Sequence, residues 1–93
     1  MEYYIDLKGI RTKKGLHEKL KEVLPLPDYY GANLDAFYDV LSEYGRDWKL
    51  VFEHTEEFER ACPVYYSNLK KLCARVQQES GICEFSFNRQ QIK

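Results

Sequence analysis

Ninety-three residues, 44% of them hydrophobic and 31% charged, are expected to form one small domain over 1–93, with room for one sheet and its covering helices but none for a separate cofactor domain. A formal net charge of −1 gives the chain as a whole no drive toward RNA or DNA. Cys62, Cys73 and Cys83 are odd in number and lack CxxC spacing, which argues against a disulfide framework and against a zinc site.

The opening MEYYIDLKG lacks the basic start and apolar run of a signal peptide. No stretch reaches the roughly 18 apolar residues of a membrane span. The expectation is a protein of the reducing cytoplasm, with no membrane association, no cofactor and no metal.

In chain order, Tyr3, Ile5 and Leu7 alternate with Glu2, Tyr4 and Asp6, the period of a strand, and Gly9 ends it. Leu16, Leu20, Val23 and Leu24 recur at helical spacing, predicting a first helix over 14–24 that Pro25 stops. Pro25 to Ala32 is turn-rich, with two prolines and Gly31. Asn33 suits an N-cap. Leu34, Phe37, Val40, Leu41 and Tyr44 then follow helical spacing to Gly45, placed as a C′ residue.

Lys49–Glu53, KLVFE, is a short apolar run that reads as a buried strand. Thr55 suits the cap of a short helix with Glu56 and Glu57 in its first turn. Pro63 opens a longer helix with a core stripe of Tyr65, Leu69, Leu72, Cys73 and Val76, and Gly81 ends it. Cys83, Phe85 and Phe87 alternate in a last strand. The predicted order is β-α-α-β-α-α-β: an α/β fold with a small three-stranded parallel sheet packed by about four helices, joined by right-handed crossovers.

Charge is unevenly spread along this order. Residues 8–21 hold six Lys/Arg and one acid, Glu18. Residues 28–47 hold five acids (Asp28, Asp35, Asp39, Glu43, Asp47) against Arg46 alone. Such asymmetry makes a local acidic field that attracts a basic partner. On a helix of ~100° per residue, Leu34, Phe37, Val40, Leu41 and Tyr44 share one side. Asp35, Asp39, Ser42 and Glu43 share the other, with Tyr38 at the border. Asp35 and Asp39 are i, i+4 neighbours whose like charges repel by ~0.2–0.5 kcal/mol, so the pair gives the isolated helix no benefit. Tyr29, Tyr30, Tyr38 and Tyr44 surround it, and tyrosine suits interfaces because it pairs a rigid ring with a polar tip. Two close carboxylates can take the places of nucleic-acid phosphates in a basic cleft and accept bidentate arginine. Against this stands the bland reading of a solvated acidic face, with Asp35 favoured by the helix dipole alone.

The run LPDYYGANLDAFYDVL, Leu26 to Leu41, resembles the signature of the barstar family, intracellular inhibitors of the bacterial ribonuclease barnase. The family pattern is met by Leu26, Pro27, Tyr29, Tyr30, Gly31, Asn33, Leu34, Asp35, Ala36, Phe37, Tyr38, Asp39 and Leu41. GIRTKKGLHEKLKEVL is similar to the family's first helix, and the predicted element order is similar to the family fold. The resemblance implies a 1:1 complex in which the helix and the loop before it enter the ribonuclease cleft. Asp39 would fill the phosphate site against its arginines and catalytic histidine, with Asp35 and the backbone near Tyr29, Asn33 and Leu34 flanking it. Tyr29, Tyr38 and Tyr44 would supply packing area. The partner-binding set is then Tyr29, Tyr30, Gly31, Asn33, Leu34, Asp35, Tyr38, Asp39, Ser42, Glu43 and Tyr44, on a chain that is a monomer when free, binds no nucleic acid directly and catalyses nothing.

The sequence departs from the family's best-known member, which has tryptophan where Tyr38 and Tyr44 stand and a glutamate where Val76 stands. Ser80 matches a further acid, and Glu79 lies one residue out of register. A second reading is therefore a barstar-like module for another basic nuclease or toxin. A third, a small hydrolase using Asp35, Asp39 and His17 or His54, is opposed by the ordinary structural settings of both histidines. Cys62 and Cys73 with His54 make a weak metal set and read as thiols in or near the core. The basic run Lys8, Arg11, Lys13, Lys14, Lys19 and Lys21 lacks the interleaved aromatics of an RNA surface. Gly31 stands alone, so no phosphate loop is present.

Overall fold

Alternation along residues 2–7 gives a strand with one buried face, and the apolar run at 49–53 gives its neighbour, with Leu50, Val51 and Phe52 all buried. The computed structural model describes residues 1–81 and 83–89. Among them the elements are β1 (Glu2–Asp6), α1 (Lys13–Val23), α2 (Leu34–Tyr44), β2 (Lys49–Glu53), α3 (Glu56–Ala61), α4 (Pro63–Ser80) and β3 (Glu84–Phe87). The strands form one parallel sheet in the order β1-β2-β3. This is the α/β class and element order expected from the sequence.

The register pairs Tyr3 with Leu50 and Ile5 with Phe52, then Leu50 with Phe85 and Phe52 with Phe87. A parallel sheet needs this coincidence of apolar positions, since a slip of one residue turns every side chain to the other face. Phe52 and Phe87 stack at 4.7 Å. Ile5, Leu7, Leu16, Leu20, Phe37, Leu50, Phe52, Phe58 and Leu69 are fully buried around the sheet. The longest helix, α4, packs on both α2 and β3, and so fixes the acidic helix relative to the sheet.

Several local expectations are corrected. Gly45 does cap α2, but with φ −77° it is not left-handed. Its requirement is space: a Cβ there would stand 2.5 Å from the Leu41 carbonyl oxygen. Gly45→Ala is therefore expected to destabilise the fold by about 1–3 kcal/mol through forced backbone movement, read by chemical denaturation. A wild-type midpoint would refute the steric account. Gly81 closes α4 with φ +66°, the left-handed cap that glycine adopts without strain. Thr55 stands at the N-cap of α3 but makes no side-chain cap bond; its carbonyl accepts from Glu59 N instead. The buried stripe of α4 includes Tyr66, with Tyr65 and Leu72 only half-buried. No helix among the described residues is long and apolar enough to cross a membrane.

Candidate protein-binding surface

The surface begins where the chain turns from Pro25 into α2. Tyr30 N donates to the Pro27 carbonyl at 3.0 Å, closing a turn. Ala32 then takes φ +53°, a left-handed conformation rare for a residue with a Cβ. Asn33 caps α2, its Oδ1 accepting from Ala36 N at 2.8 Å while its Nδ2 donates to the Gly31 carbonyl at 3.3 Å. The Asn33 side chain thus satisfies one open helix donor and ties the loop to the helix. Asp35 lies in the first turn, where the helix dipole favours an acid.

Phe37, Val40 and Leu41 anchor α2 in the core. The opposite side leaves Asp35, Asp39, Ser42 and Glu43 exposed, as are Gly31 and Asn33 in the approach. Leu34 and Tyr38 are half-buried. Tyr44 shares the wheel's inner side but keeps 42% of its surface exposed, because it ends the helix beyond the core. Tyr29 is 76% exposed, and its hydroxyl meets that of Tyr44 at 3.1 Å. That bond, with the charge of Glu43, pushes the Tyr44 phenol up to about 12. Tyr29, Gly31, Asp39, Glu43 and Tyr44 line a hollow of about 250 Å³ between loop and helix. An aromatic wall beside carboxylates can receive a cationic side chain.

Tyr30 lines the same hollow but reaches into the core. Its ring is buried, and its hydroxyl lies 2.6 Å from His17 Nδ1. His17 Nε2 lies 2.7 Å from the Tyr65 hydroxyl. The Tyr30 ring is thus held in the core from one side while Tyr30 also lines the hollow. The His17 bridge joins α1, the loop and α4 behind the acidic face. Sequence alone marked His17 as a neighbour of the core; its burial at 1% exposure and its two tyrosine partners come from packing.

Burial holds the His17 imidazole below its ordinary pKa, so the unfolded chain takes the proton first as pH falls below about 6.5. Stability is therefore full above that value and falls by up to about 1.4 kcal/mol per pH unit below it, until the folded state also protonates. His17→Gln is expected to flatten the slope between pH 6.5 and 5, measured by urea midpoints. An unchanged slope would remove His17 as its source. Asp6, Glu57 and Glu79, whose pKa values lie below the ordinary carboxylate range, act at lower pH. For Asp6, burial works upward and is outweighed by the Lys8 amide and by His54.

The border of the acidic side of α2 also meets α4, through Tyr38. The Tyr38 hydroxyl donates to Glu79 Oε1, and Arg75 Nε donates to Glu79 Oε2 at 3.3 Å. The Arg75 guanidinium lies 5.1 Å from the centre of the Tyr38 ring. The Tyr38 bond holds the Glu79 carboxyl low, with Arg75 adding to it, and the same bond raises the Tyr38 phenol. Val76 is buried. Sequence reasoning left Glu79 out of the surface because its register did not match; the crossing of α4 over α2 brings it there.

His54 bonds Asp6 at 2.8 Å. The pairing of a histidine with Asp35 or Asp39 that a hydrolase reading requires is not formed among the described residues. Nor do the described residues bring together three His, Cys, Asp or Glu side chains fit to hold a metal.

The scaffold is a parallel three-stranded α/β domain that carries an acidic helix and an aromatic loop. The family model described as "Barstar (barnase inhibitor)" matches residues 1–90, and the chain belongs to the barstar family. It is also similar to the Bacillus subtilis (strain 168) protein named "Putative ribonuclease inhibitor YrdF", at 47% identity over 38 residues. That match covers 41% of this chain and 42% of the relative, so it spans about two fifths of each.

Proposed function

We propose that the chain is a stoichiometric ribonuclease inhibitor, a binder and not a catalyst, which blocks the basic active-site cleft of a barnase-type ribonuclease with α2 and the loop before it. The observation that carries this is the exposure of Asp35, Asp39 and Glu43 on one side of α2, beside the Tyr29–Tyr44 pair. None of these acids is anchored in the core, so the arrangement favours a partner rather than the fold. Asp39 lines the hollow and is assigned to the cleft's phosphate site, where arginine and histidine donors converge. Asp35 and the loop backbone at Gly31 and Asn33 flank it. Tyr29, Tyr38 and Tyr44 give contact area, while Ser42 and Glu43 form the rim.

The complex is read as 1:1, formed in the cytoplasm. Free thiols at Cys62, Cys73 and Cys83 suit that reducing compartment. The test is titration of the pure protein into an RNA-cleavage assay of a barnase-type ribonuclease. Loss of cleavage at one inhibitor per enzyme is expected, and undiminished cleavage at micromolar inhibitor would sink the proposal. The engagement of Tyr38 with Glu79 and Arg75, together with the burial of Val76, favours as second reading a different basic nuclease or toxin as partner. Inhibition of such an enzyme with barnase-type enzymes untouched would select it.

A further inference from the structure

Tyr38 sits on α2 between Asp35 and Ser42, each within one helical turn, and it borders α4. Across it stands a cation, Arg75, paired with Glu79 on α4. The Arg75 side chain is 68% exposed, and its Nε is taken by Glu79. Both Glu79 oxygens are in turn occupied, one by Tyr38 and one by Arg75. The carboxylate is therefore engaged within the cluster through both oxygens. The four N–H groups on the two terminal nitrogens of Arg75 have no partner among the described residues. The Tyr38 ring beneath and Glu79 beside it orient the guanidinium, so its free edge is a fork suited to a carboxylate.

We infer that Arg75 extends the selectivity of the α2 surface, favouring a ribonuclease that carries an aspartate or glutamate beside its basic cleft. This rests on the proposed reading of α2. A uniformly basic partner meets Asp35 and Asp39 well but sets its own charge against Arg75, and a repulsive contact of that kind is how an interface rejects near matches. A partner that alternates, basic opposite α2 and acidic opposite α4, satisfies both.

The test titrates wild type, Arg75→Ala, Arg75→Glu, Glu79→Gln and Asp39→Ala into the RNA-cleavage assay of a barnase-type ribonuclease, with a thermal midpoint for each variant. Arg75→Ala is expected to weaken inhibition about fivefold, the size of an exposed ion pair, and Arg75→Glu about tenfold or more. Glu79→Gln keeps an acceptor for Tyr38 but gives up the oxygen that takes Arg75 Nε, and should weaken inhibition no more than Arg75→Ala does. Unchanged or tighter inhibition by Arg75→Glu overturns the inference. So does a loss in Glu79→Gln comparable to that in Asp39→Ala, which would assign the contact to the carboxylate. If either Arg75 effect fails while Asp39→Ala still loses inhibition, α2 stands and the extension falls. If Asp39→Ala inhibits like wild type, or wild type does not inhibit, the reading of α2 falls and takes the extension with it.

Discussion

Asp39→Ala is expected to lose inhibition by roughly two to four orders of magnitude while leaving the free protein as stable as before or slightly more so. Two effects of opposite sign make the combination diagnostic. In the free chain Asp39 lies one turn from Asp35, and removing one of two like charges at i, i+4 relieves about 0.2–0.5 kcal/mol of repulsion. In the complex its carboxylate is assigned to the phosphate site. Losing about two charge-assisted hydrogen bonds there, each worth roughly 1.5–3 kcal/mol, gives about 3–6 kcal/mol, and every 1.4 kcal/mol is about tenfold. The barnase–barstar pair is itself a standard illustration of such hot spots, so the size expected here is built from the bonds lost and not carried over from that pair. Glu43→Ala, at the rim, should cost no more than about 1 kcal/mol. Inhibition constants for the two variants, with thermal midpoints for each, decide the matter. Equal losses, or a destabilised Asp39→Ala, would refute the placement of Asp39 at the phosphate site. The loss should also shrink in relative terms as salt is added, since exposed fields are screened over about 8–10 Å.

How much of this was legible in the sequence follows from what periodicity can and cannot carry. Alternation at Tyr3, Ile5 and Leu7 and helical spacing at Phe37, Val40 and Leu41 report which face of an element turns inward. The strands, the helices and the exposed acids of α2 were therefore readable. The LPDYYGANLDAFYDVL run added the family. Periodicity says nothing of which faces meet. Tyr29 and Tyr30 are adjacent in a loop with no period, yet one ring is exposed and the other buried, because His17 on α1 supplies a partner for only one hydroxyl. The Tyr38–Glu79 bond spans 41 positions and exists because of how α4 crosses α2. Gly45 illustrates the same limit locally. A helix-ending glycine was expected, but its cause is the nearness of the Leu41 carbonyl, which no residue pattern encodes.

Phe37→Ala should show the reverse pattern to Asp39→Ala: a large loss of stability with inhibition by the folded fraction largely retained. Phe37 is fully buried, on the side of α2 opposite Asp39 and Glu43, and it shares the core with Val40 and Leu41. Truncating a buried phenylalanine to alanine removes transfer energy and leaves a cavity, about 3–5 kcal/mol together. Small domains have roughly 5–15 kcal/mol in total, so the variant keeps a folded population at 25 °C but melts roughly 15–30 °C lower. The acids stand on the same helix, still capped by Asn33 and still joined to the loop, so the surface persists while the helix does. The expected outcome is a near-normal inhibition constant at low temperature that collapses on warming, in step with the loss of helical signal. A wild-type midpoint would mean that Phe37 does not anchor α2. A normal melt with lost inhibition would move Phe37 from the core to the binding surface. The two substitutions, two positions apart on one helix, thus separate the energy that holds α2 in the fold from the energy it offers to a partner.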